Sequence, residues 1–97
     1  MITIDFIKSN SKPHPVSGGK QTVIHNEKYV FSIVGGRQGL YGDFETDFEI
    51  AIIDPTNREF ITKLFFDGLY DDIVGYASVE EVERVANLLF KENFQVK

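Results

Sequence analysis

Acidic and apolar residues alternate along the segment from Asp43 to Ile53. Successive side chains of a β-strand point to opposite faces, so this period of two predicts a strand with one apolar and one acidic face. The apolar face would contain Phe44, Phe48, Ile50 and Ile52, and the acidic face would contain Asp43, Glu45, Asp47 and Glu49. We expect the four apolar residues to organise the core.

A turn and a returning strand are predicted next, so that residues 43–66 form one β-hairpin. Asp54 and Pro55 open a sequence typical of a type I turn, because proline presets φ at its second position. Pairing Ile52 with Phe60 keeps the apolar side chains of both strands on one face. The same register places Lys63 opposite Glu49, where the two would form a cross-strand ion pair.

The remaining apolar pattern predicts further strands and one helix. Residues 2–7, 21–25 and 28–34 have the propensity and alternation of strands. A helix is predicted over 78–93, since Ser78 with Glu81 forms a capping box, apolar residues follow at helical spacing, and Asn93 suits the C-cap. The fold class is therefore α+β: residues 1–97 as a single domain, with an antiparallel sheet of four to five strands and one C-terminal helix packed on one face.

Two segments rich in proline or glycine interrupt these elements. Residues 8–20 contain two prolines and two glycines, which predicts a mobile loop with room for a partner-binding role. Residues 35–42 contain four glycines, but their spacing is not that of a dinucleotide or phosphate-binding loop, and a strand follows instead of a helix. We interpret this segment as a β–β connection with a tip suited to protein contact, formed by Arg37, Gln38, Leu40 and Tyr41.

The charge is unevenly distributed along the chain. The net charge of −5 argues against general binding to nucleic-acid phosphates. Five basic and two acidic residues give +3 for residues 1–37, whereas five basic and thirteen acidic residues give −8 for residues 38–97. This asymmetry indicates either complementarity between the two halves, which we favour, or an acidic surface for a basic partner.

Composition narrows the chemistry further. The chain has no cysteine, which excludes disulfides, thiolate zinc sites and a cysteine nucleophile and fits a cytoplasmic protein. It has no apolar run long enough to span a membrane, and its first residues lack the pattern of a signal peptide. His14 and His25 accompany no nucleophile motif, so we expect no enzyme activity and no cofactor. Asp67, Asp71 and Asp72 form a possible metal-binding loop, but acidic loops are usually solvated and we predict no metal.

The acidic row has two interpretations. It is either the wet face of an antiparallel sheet, where charges also prevent edge pairing, or a carboxylate ladder presented to a basic partner. Such a ladder could occupy phosphate positions on a nucleic-acid-binding protein and inhibit it. The candidate binding surface combines that row with the glycine loop: Asp43, Glu45, Asp47, Glu49, Arg37, Leu40 and Tyr41.

Two segments resemble small uncharacterised proteins of bacteriophages and mobile elements. They are Tyr41-Gly42-Asp43 followed by Phe48-Glu49-Ile50-Ala51-Ile52, and Asp72-Ile73-Val74-Gly75-Tyr76 with Ser78-x-Glu80-Glu81-Val82. The resemblance implies an acidic α+β domain that binds a host or phage protein, in some cases as an inhibitor, and it assigns no residue roles. We therefore expect a non-enzymatic protein-binding module. The alternative is a structural protein, either a minor virion component or a homo-oligomer paired through the strand edges at 1–7 or 21–25.

Overall fold

The computed structural model describes residues 1–16, 18–36 and 40–97. Arg37 and Gln38, which belong to the predicted contact surface, lie outside the described residues. The helices are α1 (Ile4–Ser9) and α2 (Val79–Leu89), and a 3-10 helix covers Thr62–Leu64. The strands are β1 (Lys12–Pro13), β2 (Lys20–His25), β3 (Val30–Gly35), β4 (Asp47–Ile53), β5 (Val74–Ser78) and β6 (Gln95–Val96).

The strands form one antiparallel sheet in the order β1-β2-β3-β4-β5, with β6 beside β2. The predicted strands at 21–25 and 28–34 are confirmed as β2 and β3, and Ile24 lies opposite Phe31. Between them, Asn26 Oδ1 accepts hydrogen bonds from the amides of Lys28 and Tyr29, both at 2.9 Å. The predicted α+β class with a C-terminal helix is confirmed, with two strands only two residues long.

Both helices pack on one face of the sheet, which we call the helix face. The buried core on this face contains Thr22, Ile24, Phe31, Ile33, Phe44, Phe48, Ile50 and Ile52 from the sheet side and Ile7, Val82, Val85, Ala86 and Leu89 from the helices. The predicted core residues Phe44, Phe48, Ile50 and Ile52 are confirmed as buried, and α2 packs against β4 and β5. On the α1 side, the Thr22 hydroxyl donates to the Ile7 carbonyl at 2.6 Å.

The predicted first strand at residues 2–7 is wrong, because this segment forms α1. Thr3 caps the helix by accepting from the Phe6 amide at 3.2 Å. Two side chains of α2 satisfy the backbone before the first turn: Asn87 bonds the amide and carbonyl of Ile2, and Glu83 accepts from the amide of Ile4 at 2.7 Å. These contacts replace the ladder that a strand would need.

The predicted hairpin over 43–66 is also wrong, because its first strand begins only at Asp47, as β4, and the segment after the turn forms no strand. β4 lies between β3 and β5, and among the described residues one bridge, Ile53 to Phe60, joins it to the returning segment. Thr62 is fully buried, and its hydroxyl accepts from the Ile52 amide at 2.9 Å and donates to the Ile52 carbonyl at 3.3 Å. A side chain thus takes the place of ladder bonds, and Lys63 lies in the 3-10 helix instead of opposite Glu49.

The C-terminal helix begins where the sequence predicts and ends earlier. Ser78 is the N-cap, accepting from the Glu81 amide at 3.1 Å. Phe90, which is buried, is the C-cap, so the predicted end at Asn93 is wrong. The chain then turns back to place β6 against β2. Within the segment 8–20, predicted as a mobile loop, lie the end of α1 and strand β1.

Among the residues that the structure describes, no helix is long and apolar enough to cross a bilayer.

Candidate binding surface

Residues 40–42 pack against an irregularity in the β4–β5 pair. The register shifts between Phe48 and Ile50, so that Gly75 and Tyr76 form a bulge. Tyr76 has a φ of 54°, in the left-handed region, and its amide donates to the Tyr41 carbonyl at 2.8 Å. A Cβ at Gly75 would lie 2.8 Å from the Tyr41 Cβ, so only glycine fits there. Residues 40–42, at the end of the glycine loop, therefore pack against the bulge at Gly75 and Tyr76.

This docking places two tyrosine rings side by side on the surface. The ring centroids of Tyr41 and Tyr76 are 5.9 Å apart, and the residues are 49% and 65% exposed. The Tyr41 amide donates to Glu49 Oε1 at 3.1 Å, which ties the pair to β4. We call Tyr41 and Tyr76 the tyrosine pair.

Close backbone approach explains two of the glycines in the loop. A Cβ at Gly42 would lie 2.6 Å from the Phe48 Cα, and one at Gly35 would lie 2.9 Å from the Phe44 amide nitrogen. The loop closes on itself through a 3.0 Å hydrogen bond from the Gly36 amide to the Gly42 carbonyl. Gly35 and Gly42 thus serve packing, as the predicted β–β connection requires.

Asp43 closes a tight turn before β4. Its Oδ1 accepts from the amides of Glu45 and Thr46 at 2.8 Å and of Asp47 at 3.1 Å, and its Oδ2 accepts from the Thr46 hydroxyl at 3.0 Å. These bonds, led by the one from Glu45, hold the pKa of the carboxyl well below its ordinary value of 3.8. Phe44 adopts a φ of 62° within the turn and inserts its ring into the core.

The predicted row of four carboxylates along one strand face is therefore wrong. Only Asp47 and Glu49 lie on β4, because the Asp43 turn takes Asp43 and Glu45 out of the strand. Asp47 Oδ1 accepts from the Asp43 amide at 2.8 Å, and Glu45 forms an exposed ion pair with Lys8 at 3.5 Å. The four acids still lie within seven consecutive residues, 43–49, and we call them the acidic corner.

The structure brings together most of the predicted contact residues. Tyr41 and the acidic corner are contiguous through the Tyr41–Glu49 bond, Leu40 is half-buried beside them in the chain, and Arg37 lies outside the described residues. Sequence reasoning missed Tyr76, because it predicts no strand between the hairpin ending at residue 66 and the helix beginning at residue 78. The signal for it was Gly75 inside a segment of strand propensity, which is typical of a bulge.

The other candidates stay apart from this surface. His25 lines a cleft of about 450 Å³ between the β2–β3 turn and the chain end, together with Asn26, Glu27, Asn93, Phe94 and Gln95. Within residues 1–16, 18–36 and 40–97, no three His, Cys, Asp or Glu side chains gather as a metal site would require, and this includes Asp67, Asp71 and Asp72.

Comparisons with protein-family models, with curated proteins and with solved structures find no match to this chain. The candidate surface therefore has to be interpreted from its own geometry. The resemblance to phage and mobile-element proteins stays a prediction.

Proposed function

We propose that the protein is a small acidic, non-enzymatic protein-binding module of phage or mobile-element origin that acts in the cytoplasm. Its contact surface is the tyrosine pair with the adjoining acidic corner, and its partner is a protein with a basic surface. The observation that carries this proposal is the exposed Tyr41–Tyr76 pair, fixed on the bulge beside clustered carboxylates. The expected origin and compartment rest on the sequence alone.

The tyrosine pair has the properties of a binding anchor. Tyrosine is enriched among the residues that contribute most to protein–protein affinity, because one ring buries a large area and its hydroxyl can still hydrogen-bond. Tyr41 and Tyr76 are held by backbone hydrogen bonds before any partner arrives. Association then costs less conformational entropy than it would for two residues on a flexible loop.

The acidic corner determines the sign of the charge on the partner's surface. Four carboxylates lie within seven consecutive residues, and Lys8 forms a single exposed ion pair with one of them. A basic protein surface would be steered towards this corner, most strongly at low ionic strength. A nucleic-acid-binding protein offers such a surface, and occupying it would inhibit that protein. Direct binding to nucleic acid is disfavoured by the like charge.

The test compares matched baits in capture experiments from a cell lysate at low and high salt. One variant, Tyr41→Ser with Tyr76→Asn, removes both rings, and asparagine tolerates the left-handed backbone at position 76. Glu45→Lys reverses a charge that no turn hydrogen bond uses. The matched controls are Leu88→Ser, an exposed apolar residue of α2, and Glu92→Lys, an exposed acid beyond α2. Asp43 is unsuited to charge reversal, because its carboxylate holds the turn.

We expect the wild type to capture a protein from the lysate, and both control variants, Leu88→Ser and Glu92→Lys, to capture it as well. The double tyrosine variant and Glu45→Lys should fail to capture the same protein. Added DNA should displace it if the partner uses its nucleic-acid site. Capture that is equal for all five baits would contradict the proposal, as would retention that increases with salt.

A further inference from the structure

The second face of the sheet, which we call the open face, lies opposite both helices. The cross-strand register places its side chains in three rows. The first row contains Lys12, Gln21, Val34 and Glu49, the second contains Val23, Ser32 and Ala51, and the third contains Gln95, His25, Val30, Ile53 and Phe60. Because strand side chains alternate, every one of these residues points away from the core.

The open face mixes apolar and polar residues: Gln21 donates to the Ser32 hydroxyl at 3.0 Å in its centre, and Val34 and Ala51 are already buried. Val23, Val30 and Ile53 are only partly covered, and Phe60 is 49% exposed at the end of the third row. An ordinary wet face of an antiparallel sheet carries polar residues at such positions. In the second and third rows the open face instead presents three β-branched side chains and a phenylalanine beside Ser32, His25 and Gln95, and Lys97, whose amide donates to the Val23 carbonyl, continues the second row at the β6 edge.

On this face the charges on the β1 side and on the β4 side have opposite signs. Lys12 lies on β1 at one edge, and Asp47 and Glu49 lie on β4 towards the other. Within a chain, Lys12 and Glu49 are separated by three strand spacings, about 14 Å, which is too far for an ion pair. Each side therefore has a charge that a second sheet could complement, Glu49 through the carboxylate oxygen that the Tyr41 amide does not use.

We propose that the open face binds a second copy of this chain, face to face, about a two-fold axis parallel to the strands. Such an axis exchanges the two sides, so Lys12 of each copy faces Glu49 of the other, and the third row faces its own copy with Val30 opposite His25 and Ile53 opposite Gln95. A two-fold axis perpendicular to the strands would instead place Glu49 over Ile53 of the third row and leave both charges unpaired. The charge layout thus selects one of the two arrangements, as an isologous interface requires.

The size of the face makes this a weak dimer. Three strands of six or seven residues, with the two-residue β1 and β6 beside β2, cover at most about 400 Å² per copy, or about 800 Å² in total. Stable complexes usually bury about 1,200–2,000 Å² in total. We therefore expect a reversible dimer that dissociates on dilution and, because of its Lys12–Glu49 pairs, with added salt.

The first test is sedimentation velocity of the full chain from about 10 µM to about 1 mM, a range that spans weak affinities. We expect the weight-average mass to rise towards that of a dimer. Val30→Thr with Ile53→Thr keeps strand propensity but makes the face polar, and should leave a monomer throughout. Leu88→Ser, on the helix layer, is the control and should still dimerise. A wild type that stays monomeric would overturn the proposal, as would a dimer that the double variant retains.

Two further measurements test the axis. Lys12→Glu should weaken the dimer at least several-fold, whereas Lys20→Glu, the same change on the helix face of β2, should not; equal effects would overturn the arrangement. Because the chain lacks cysteine, Lys12→Cys and Glu49→Cys can also be joined by a short bismaleimide. We expect cross-linked dimer mainly when the two variants are mixed. Equal yield from either variant alone would contradict the axis.

Discussion

At the residue scale, Asp43 shows how one side chain can produce a turn where alternating acidic and apolar residues predict a strand. Its carboxylate accepts from three consecutive backbone amides, and Phe44 takes a left-handed φ inside the resulting turn. The ring of Phe44 reaches the core from this turn, so its burial was predictable from hydrophobicity while its backbone conformation was not. The acids at 43 and 45 thereby leave the strand.

The turn predicts a specific pH dependence of stability. The folded pKa of Asp43 is depressed, so its contribution is fully present above the ordinary value of 3.8 and is lost as pH falls towards the folded pKa. Asp43→Asn keeps an acceptor oxygen but cannot titrate. We expect the stability difference between wild type and Asp43→Asn, measured by urea unfolding, to be largest above pH 5 and to shrink below about pH 4. A difference that stays constant down to pH 2.5 would contradict this account.

At the element scale, the N-terminal segment is helical because α2 holds it. Ile2, Ile4 and Phe6 alternate as a strand would, but Asn87 and Glu83 bond the backbone of residues 2–4 and leave no ladder to form. Thr3 then starts α1 as its N-cap. These contacts join residues about 80 positions apart, so no local propensity could predict them.

Removing the Asn87 amide should therefore loosen α1. Asn87→Ala leaves both the amide and the carbonyl of Ile2 without their partners, and we expect the free energy of unfolding to fall by about 1–3 kcal/mol. Hydrogen exchange at the Ile7 amide, which bonds the Thr3 carbonyl, should accelerate. Leu88→Ala, an exposed position on the same helix, should change stability by less than about 0.5 kcal/mol. Equal effects of the two substitutions would show that Asn87 does not anchor α1.

At the scale of the whole molecule, the uneven charge is not resolved by ion pairs between the two halves. Lys8–Glu45 is the contact of this kind seen among the described residues, and it is exposed. Exposed pairs contribute about 0–1 kcal/mol, so internal complementarity, the interpretation favoured from sequence, explains little of the layout. Most of the negative charge of residues 38–97 faces solvent and remains available to a partner.

Salt should consequently affect folding and binding in opposite directions. Screening reduces repulsion among the excess carboxylates, so the melting temperature should rise or stay constant between about 20 mM and 500 mM NaCl. Partner capture through the acidic corner should decrease over the same range. Melting of a dilute sample, where the open face is unpaired, measures the first effect. A melting temperature that falls with salt would show that ion pairs stabilise the fold.

The sequence by itself determined the features that depend on local periodicity and local capping. The alternation in β2, β3 and β4, the Ser78 cap of α2 and the burial of Phe44, Phe48, Ile50 and Ile52 all follow from side chains a few positions apart. These features suffice for the α+β class. They also indicated Tyr41 and the acids as a surface cluster.

Only the tertiary structure decided which segments meet. Both residues 59–66 and residues 74–78 could pair with β4. Residues 74–78 do so, as β5, whereas the Thr62 hydroxyl bonds the Ile52 backbone and ends the pairing of residues 59–66 with β4. The pairing of β4 with β5 places Tyr76 beside Tyr41, and the β1–β4 register leaves opposite charges on the β1 side and the β4 side of the open face. Strand partners compete through contacts distant in sequence, so their outcome depends on the whole packed chain and not on the pattern of any one segment.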